Sequence, residues 1–185
     1  MGQGLSSPAN SELVTHFDKK ELQAFQDSFS KTLGSKQVLT KQDLLDIYSK
    51  YFPFGDPTAF VDLIFGLFKS SANASQTIGF PEYISAWSIA SRGNLEERIK
   101  WSFKFHDADG DGQISIADLD AVITACTQLT RGLVTTKADS VSLINQVLEA
   151  FDATQSKVIE YSVFASAVRT DPQLLRGFLL FDGLL

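Results

Sequence analysis

The stretch DADGDGQISIAD, residues 107–118, sets Asp107, Asp109 and Asp111 two positions apart and follows them with Gly112. Carboxylate oxygens converging at that spacing suit a hard divalent cation, calcium or magnesium, which takes oxygen ligands. Gly112 supplies the positive φ a loop needs to turn its donors inward. The remaining positions of a twelve-residue oxygen loop follow in register: Gln113 offers its backbone carbonyl, Ser115 its hydroxyl and Asp118 the closing carboxylate. Glutamate closes such a loop on calcium with both oxygens. Aspartate is one methylene shorter, so one oxygen or a bridging water reaches the ion, and coordination falls toward the six that magnesium demands. The loop is predicted to hold magnesium at rest, or calcium weakly.

A loop of this kind needs a helix on either side, and the chain supplies helical periodicity throughout. Leu22, Phe25, Phe29 and Leu33 step by three or four, as do Phe60, Ile64, Leu67 and Phe68, and Val141, Ile144, Leu148 and Phe151. Between such runs lie four polar segments, each ending in a hydrophobic residue and a helix start: GSKQVLTKQDL, SANASQTIGFPEY, DADGDGQISIADL and DATQSKVIEYSVF. Their pivot hydrophobics Leu39, Ile78, Ile114 and Ile159 lie 39, 36 and 45 residues apart, a repeat length suited to helix–loop–helix units. The fold predicted is all-α: four EF-hand units paired into two lobes, joined by short antiparallel contacts of Leu39 with Ile78 and Ile114 with Ile159, and ending in a C-terminal helix. The lobes are expected over residues 1–91 and 95–185, with 91–94 as linker.

The other three loops decay as ion sites. Residues 71–82 retain Ser71, Asn73, Ser75, Thr77 and a closing Glu82, but Gln76 replaces the turn glycine and one ligand alone carries charge, so any ion there is held weakly. In residues 152–163 Lys157 takes the glycine position and Val163, which cannot ligate, the closing one. In residues 32–43 Gly34 and Lys36 stand where ligands belong, and a lysine repels a cation. The first and fourth loops are expected to be empty.

Composition narrows the function classes. A net charge of −6, with no clustered basic face, argues against nucleic acid. One cysteine, Cys126, forms no internal bridge and fits a reducing compartment, and no apolar run reaches the roughly 18 residues of a membrane span. The opening MGQGLS places Gly2 and Ser6 at the spacing of an N-myristoylation signal. His16 and His106 are far apart, Cys126 lies on a helical pattern, and neither a phosphate-cradling glycine loop nor a serine elbow is present, so no catalytic constellation emerges.

Beyond the loops, YFPFGDPTAF (51–60), EYISAWSIASRGNLEERIKWSF (82–103) and the ending DPQLLRGFLLFDGLL resemble the neuronal calcium sensor family, the frequenin and recoverin group. That resemblance implies an N-myristoylated calcium sensor, cytoplasmic and peripherally membrane-associated, that docks a helical segment of an effector such as a lipid kinase, a receptor kinase or a channel. The family commonly binds calcium in its second, third and fourth hands and disables the first with a Cys-Pro pair. Here residues 34 and 35 are Gly and Ser.

The docking groove of such a sensor is often methionine-rich, yet Met1 is the single methionine against 15 phenylalanines. Phe25, Phe29, Tyr51, Phe52, Phe54, Phe60, Phe65, Phe68 and Trp87 are expected to line a stiffer, more selective groove. The C-terminal LLRGFLLFDGLL is apolar enough to lie in that groove or to pack as a helix on the second lobe. The alternative function is a constitutive, magnesium-filled adaptor whose shape does not follow calcium.

Overall fold

The computed structural model describes residues 15–34, 36–68, 77–130 and 137–175. Eight helices and four three-residue strands alternate among them: α1 (Lys19–Leu33), β1 (Val38–Thr40), α2 (Lys41–Tyr51), α3 (Thr58–Phe68), β2 (Thr77–Gly79), α4 (Phe80–Arg92), α5 (Leu95–His106), β3 (Gln113–Ser115), α6 (Ile116–Thr130), α7 (Lys137–Ala150), β4 (Val158–Glu160) and α8 (Tyr161–Thr170). Each strand is the tail of a loop, too short to stand alone, and finds its hydrogen bonds in the neighbouring loop. β1 pairs antiparallel with β2 and β3 with β4, with Leu39 opposite Ile78 and Ile114 opposite Ile159, as the pivot spacing predicts. Ile114 and Ile159 are both 0% exposed, and burying each stabilises the fold by about 2 kcal/mol.

Helix starts follow local chemistry. Asp18, Thr40 and Asn94 each cap a helix and exchange hydrogen bonds with Glu21, Asp43 and Glu97 three residues on, satisfying amides that no helix can pair internally. Pro81 in the first turn of α4 sits where a missing N–H costs nothing.

Two apolar clusters form the interior, and the first crosses the α4–α5 junction. Phe29, Leu39, Leu44, Tyr48, Phe60, Ile64 and Ile78 pack with Phe105 of α5 and with Val122, Ala125, Cys126 and Leu129 of α6. The second gathers Ile99, Phe103, Ile114, Leu148, Phe151, Ile159, Phe164 and Val168. The exit helix of the third loop is therefore wedged against α3. Backbone contacts fix that seam: Asp56 donates its N–H to the Gln128 carbonyl at 2.8 Å. A Cβ on Gly55 would stand 1.6 Å from the Leu129 oxygen, so no residue but glycine fits the close approach. Lys104 of α5 donates to the Leu67 carbonyl at the end of α3, a favourable place for a cation.

Charged clasps hold the ends together. The Arg92 guanidinium donates to both carboxylate oxygens of Glu21 at 2.9 and 2.6 Å and lies 4.8 Å from the centroid of the Phe17 ring. It thereby holds the Glu21 carboxyl below its usual range. His16 meets Glu97 at 2.7 Å, and Arg169 of α8 grips Glu96 at 2.6 and 2.7 Å. Among the described residues no helix is long and apolar enough to cross a membrane.

Candidate metal centre

The third loop bridges α5 and α6, and its carboxylates are held by the loop's own amides. Asp107 accepts N–H bonds from Gly110 and Asp111 on Oδ1 at 2.9 and 3.0 Å and from Gly112 on Oδ2 at 3.0 Å. Asp109 accepts from Asp111 at 3.1 Å and Asp111 from Gln113 at 2.8 Å. Gly110 and Gly112, at φ 78° and 90°, let the backbone turn its N–H groups inward. One ligand oxygen from each of Asp107, Asp109 and Asp111 lies within 4.8 Å of the others. Three like charges so close in water-exposed positions repel one another, and a divalent cation between them removes the repulsion. Each carboxylate has about four lone-pair sites, so accepting an amide leaves room for an ion. The donor set, all hard oxygen, fits calcium or magnesium.

Asp118 closes the loop from the first turn of α6 and is 4% exposed. A carboxylate so buried must be hydrogen-bonded. Its Oδ2 accepts from the Ser115 N–H at 2.8 Å and the Ser115 hydroxyl at 2.5 Å, while Ser115 Oγ accepts from the Asp118 N–H at 3.2 Å. Its Oδ1 accepts from the Ala108 N–H at 3.2 Å across the loop. Ser115 therefore spends its hydroxyl on Asp118, and one carboxylate oxygen of Asp118 is occupied in starting α6. Gln113 lies in β3 with its side chain exposed.

His106, the residue before the loop, is buried, and its Nδ1–H donates to the Ser102 carbonyl at 2.8 Å. Burial pushes its pKa down to about 4, keeping the ring neutral. Cys126 lies in the core, where burial pushes its thiol up to about 12, far from a reactive thiolate.

The other loops differ position by position. In the second, Thr77 pairs with Thr40 in the ladder and Glu82 opens α4, its Oε2 2.7 Å from where a Gly79 Cβ would stand. Ser71, Asn73 and Ser75 lie outside the described residues, as do Gly2 and the C-terminal segment from residue 176 onward. In the fourth loop Asp152 and Lys157 take φ of 52° and 61°, the left-handed region that costs a side chain about 1–2 kcal/mol. Ala153 turns into the core, and Ser156 donates to the Val158 carbonyl at 2.9 Å. The loop thus satisfies its own backbone. In the first loop the Thr32 hydroxyl donates to Ser28 of its own helix at 2.9 Å, and Lys36 Nζ lies 2.9 Å from Asp43 Oδ1.

The predicted groove set divides. Tyr51, Phe68 and Trp87 line a cavity of about 230 Å³ together with Leu39, Leu44, Ile47, Tyr48, Ile64, Ile78, Tyr83 and Ala86. Phe29, Phe60 and Phe65 are instead buried core, a correction to the predicted lining, because their helix faces turn inward against α4, α5 and α6. Phe25 packs against Phe17 with the rings tilted at 46°, Phe52 packs on the rim of the core, and Phe54 is 75% exposed in the turn before α3. Selecting by aromatic type missed the aliphatic wall. Helical spacing offered the missing signal: Leu44, Ile47, Tyr48 and Tyr51 share one face of α2.

Paired helix–loop–helix units around an oxygen-lined loop define a calcium-binding EF-hand protein. The family model of an EF-hand domain pair matches residues 96–169. Neuronal calcium sensor 1 of Lymnaea stagnalis is 28% identical over 172 residues, 91% of this chain and 88% of that one. S-modulin of Aquarana catesbeiana is 36% identical and recoverin of Homo sapiens 32% identical, each over 114 residues or 62% of this chain, spanning 55% and 56% of those proteins. The chain is thus similar to neuronal calcium sensors over most of its length and carries an EF-hand domain pair in its second half.

Proposed function

We propose that this protein is an N-myristoylated regulator whose third hand holds one divalent cation, magnesium at rest or calcium when it rises, and which docks a helical segment of a membrane-associated effector. The observation carrying the ion assignment is the closing carboxylate. Asp118 Oδ2 already accepts two hydrogen bonds from Ser115, which leaves Oδ1 as the oxygen facing the loop. A single closing oxygen supports six-fold coordination, the geometry of magnesium.

The occupant of the 230 Å³ cavity is read as one face of an amphipathic helix. Its lining is aliphatic and aromatic with Tyr51 at 77% exposure on its edge, which suits anchors spaced i, i+3, i+4 and i+7. Acylation at Gly2 gives marginal membrane affinity by itself, so effector docking supplies the second contact that peripheral retention requires. Lipid kinases, receptor kinases and channels are the effector classes the family suggests.

A constitutive magnesium-filled adaptor is the second reading, favoured by the same commitment of Asp118 to Ser115. Isothermal titration with calcium and magnesium, separately and in competition, on the wild type and Asp118→Glu separates the two. A sub-micromolar calcium transition in the wild type under millimolar magnesium overturns the magnesium assignment. Calcium binding that leaves effector-peptide affinity unchanged selects the adaptor.

A further inference from the structure

The first hand reproduces the hydrogen-bond pattern that closes the third, atom for atom. Asp43 Oδ2 accepts from the Thr40 N–H at 2.9 Å and the Thr40 hydroxyl at 2.6 Å, and Thr40 Oγ1 accepts from the Asp43 N–H at 3.2 Å. Asp118 and Ser115 make the same three bonds at 2.8, 2.5 and 3.2 Å. Both carboxylates therefore keep Oδ1 for the loop interior.

What Oδ1 meets is where the two hands part. In the third loop Oδ1 accepts from the Ala108 N–H at 3.2 Å, and the fifth position is Asp111, one of the three clustered carboxylates. In the first loop the fifth position is Lys36, whose ammonium lies 2.9 Å from Asp43 Oδ1. The loop's shape brings it there: Gly34 at φ 60° reverses the chain after α1, and the Lys36 N–H donates to the Leu33 carbonyl at 3.2 Å. The neighbouring Lys41 is engaged elsewhere, with Asp62 of α3. Thr32, at the first ligand position, has spent its hydroxyl on Ser28. The loop thus holds a carboxylate and an ammonium of its own in place of a ligand cage.

We propose that the Lys36 ammonium is the resident cation of the first hand, standing where the third hand takes a divalent ion, so that the β1–β2 pair and the first turn of α2 are set without metal. The Thr40 hydroxyl, followed by the Lys36 ammonium and the Thr40 N–H, holds the Asp43 carboxyl down to about 2. The consequence reaches the cavity. Leu39 on β1 and Leu44, Ile47 and Tyr48 on α2 form one of its walls, and that wall is fixed by a covalently attached charge whatever the ion concentration.

The test uses the full chain under chelating conditions, following the Asp43 side-chain carbon by NMR across pH and the exchange of the β1–β2 amides. In Lys36→Met the Asp43 midpoint is expected to rise by about one pH unit and the amides to exchange roughly threefold faster or more. Lys36→Arg restores both, and Lys41→Met changes neither. In the wild type, adding magnesium or calcium leaves β1–β2 exchange unchanged. An Asp43 midpoint that stays put in Lys36→Met overturns the proposal. So does an equal shift in Lys41→Met, or wild-type β1–β2 exchange that slows when metal is added.

Discussion

The first and third hands carry matching strands, helix starts and closing aspartates, and differ in the sign of the charge that position five brings to the loop. Thr40–Asp43 and Ser115–Asp118 make matching bonds. Position five is Lys36 in one and Asp111 in the other. The two ladders thus form alike beside a closing carboxylate that meets an ammonium in the first hand and stands near a carboxylate cluster in the third. The fourth hand is a third solution: Val163 brings no charge to neutralise, and Asp152 and Lys157 accept left-handed backbone to fold the loop on itself.

The largest effects should come from the ladders that the hands share. Ile114→Ala removes a side chain of 0% exposure and Leu39→Ala one of 4%; each is expected to cost about 3 kcal/mol in urea unfolding. Costs within about 1 kcal/mol of each other sharpen the equivalence, whereas a much cheaper Leu39→Ala breaks it. Next, Asp107→Asn should weaken divalent binding at least ~100-fold by titration calorimetry, about 2.7 kcal/mol. Thr32→Asn, at the matching position of the first hand, should leave the binding isotherm unaltered.

Asp118→Glu is a smaller change, expected to raise calcium affinity about tenfold while magnesium affinity holds, as the longer side chain reaches the ion with a second oxygen. Asp43→Glu should add no site.

A pH experiment follows. Asp43 is depressed from 3.8 to about 2 in the fold, so its contribution to stability is complete above about pH 4 and disappears as pH falls through about 2. The stability difference between wild type and Asp43→Asn should shrink over that window. With Lys36 mostly exposed, it should stay under about 1 kcal/mol and fall with added salt. The least effect is expected for Lys157→Gly, which relieves the strained φ of 61° and gains ~0.5 kcal/mol after the glycine's unfolded-state entropy is counted. A loss there would mean that the fourth loop is not strained at Lys157.

Much of this was legible beforehand. The four pivots paired as Leu39–Ile78 and Ile114–Ile159 because hydrophobic spacing at a fixed loop position survives even where ligands do not. Asp107, Asp109 and Asp111 converge because spacing two apart on a tight loop leaves few other arrangements. Reading Lys36 as a repelling charge was half the chemistry. Its attraction to Asp43 depends on the turn at Gly34, which brings together groups seven residues apart. The groove was the least legible part. Phe60 and Phe68 stand on one helix, one wholly buried and the other on the cavity wall, and residue type alone does not distinguish them.

The sequence by itself determined the number of hands, the pairing of their loops and the convergence of Asp107, Asp109 and Asp111, because these rest on local spacing and on turns that glycine permits. Tertiary structure decided what each charge does. It placed Ser115 on Asp118 and Lys36 on Asp43, and it wedged α6 against α3 so that the third hand's exit helix shares a core with the first two. Those outcomes depend on which helix faces meet across long stretches of chain, and contacts such as Gly55 against Leu129 exist only once the whole fold has closed.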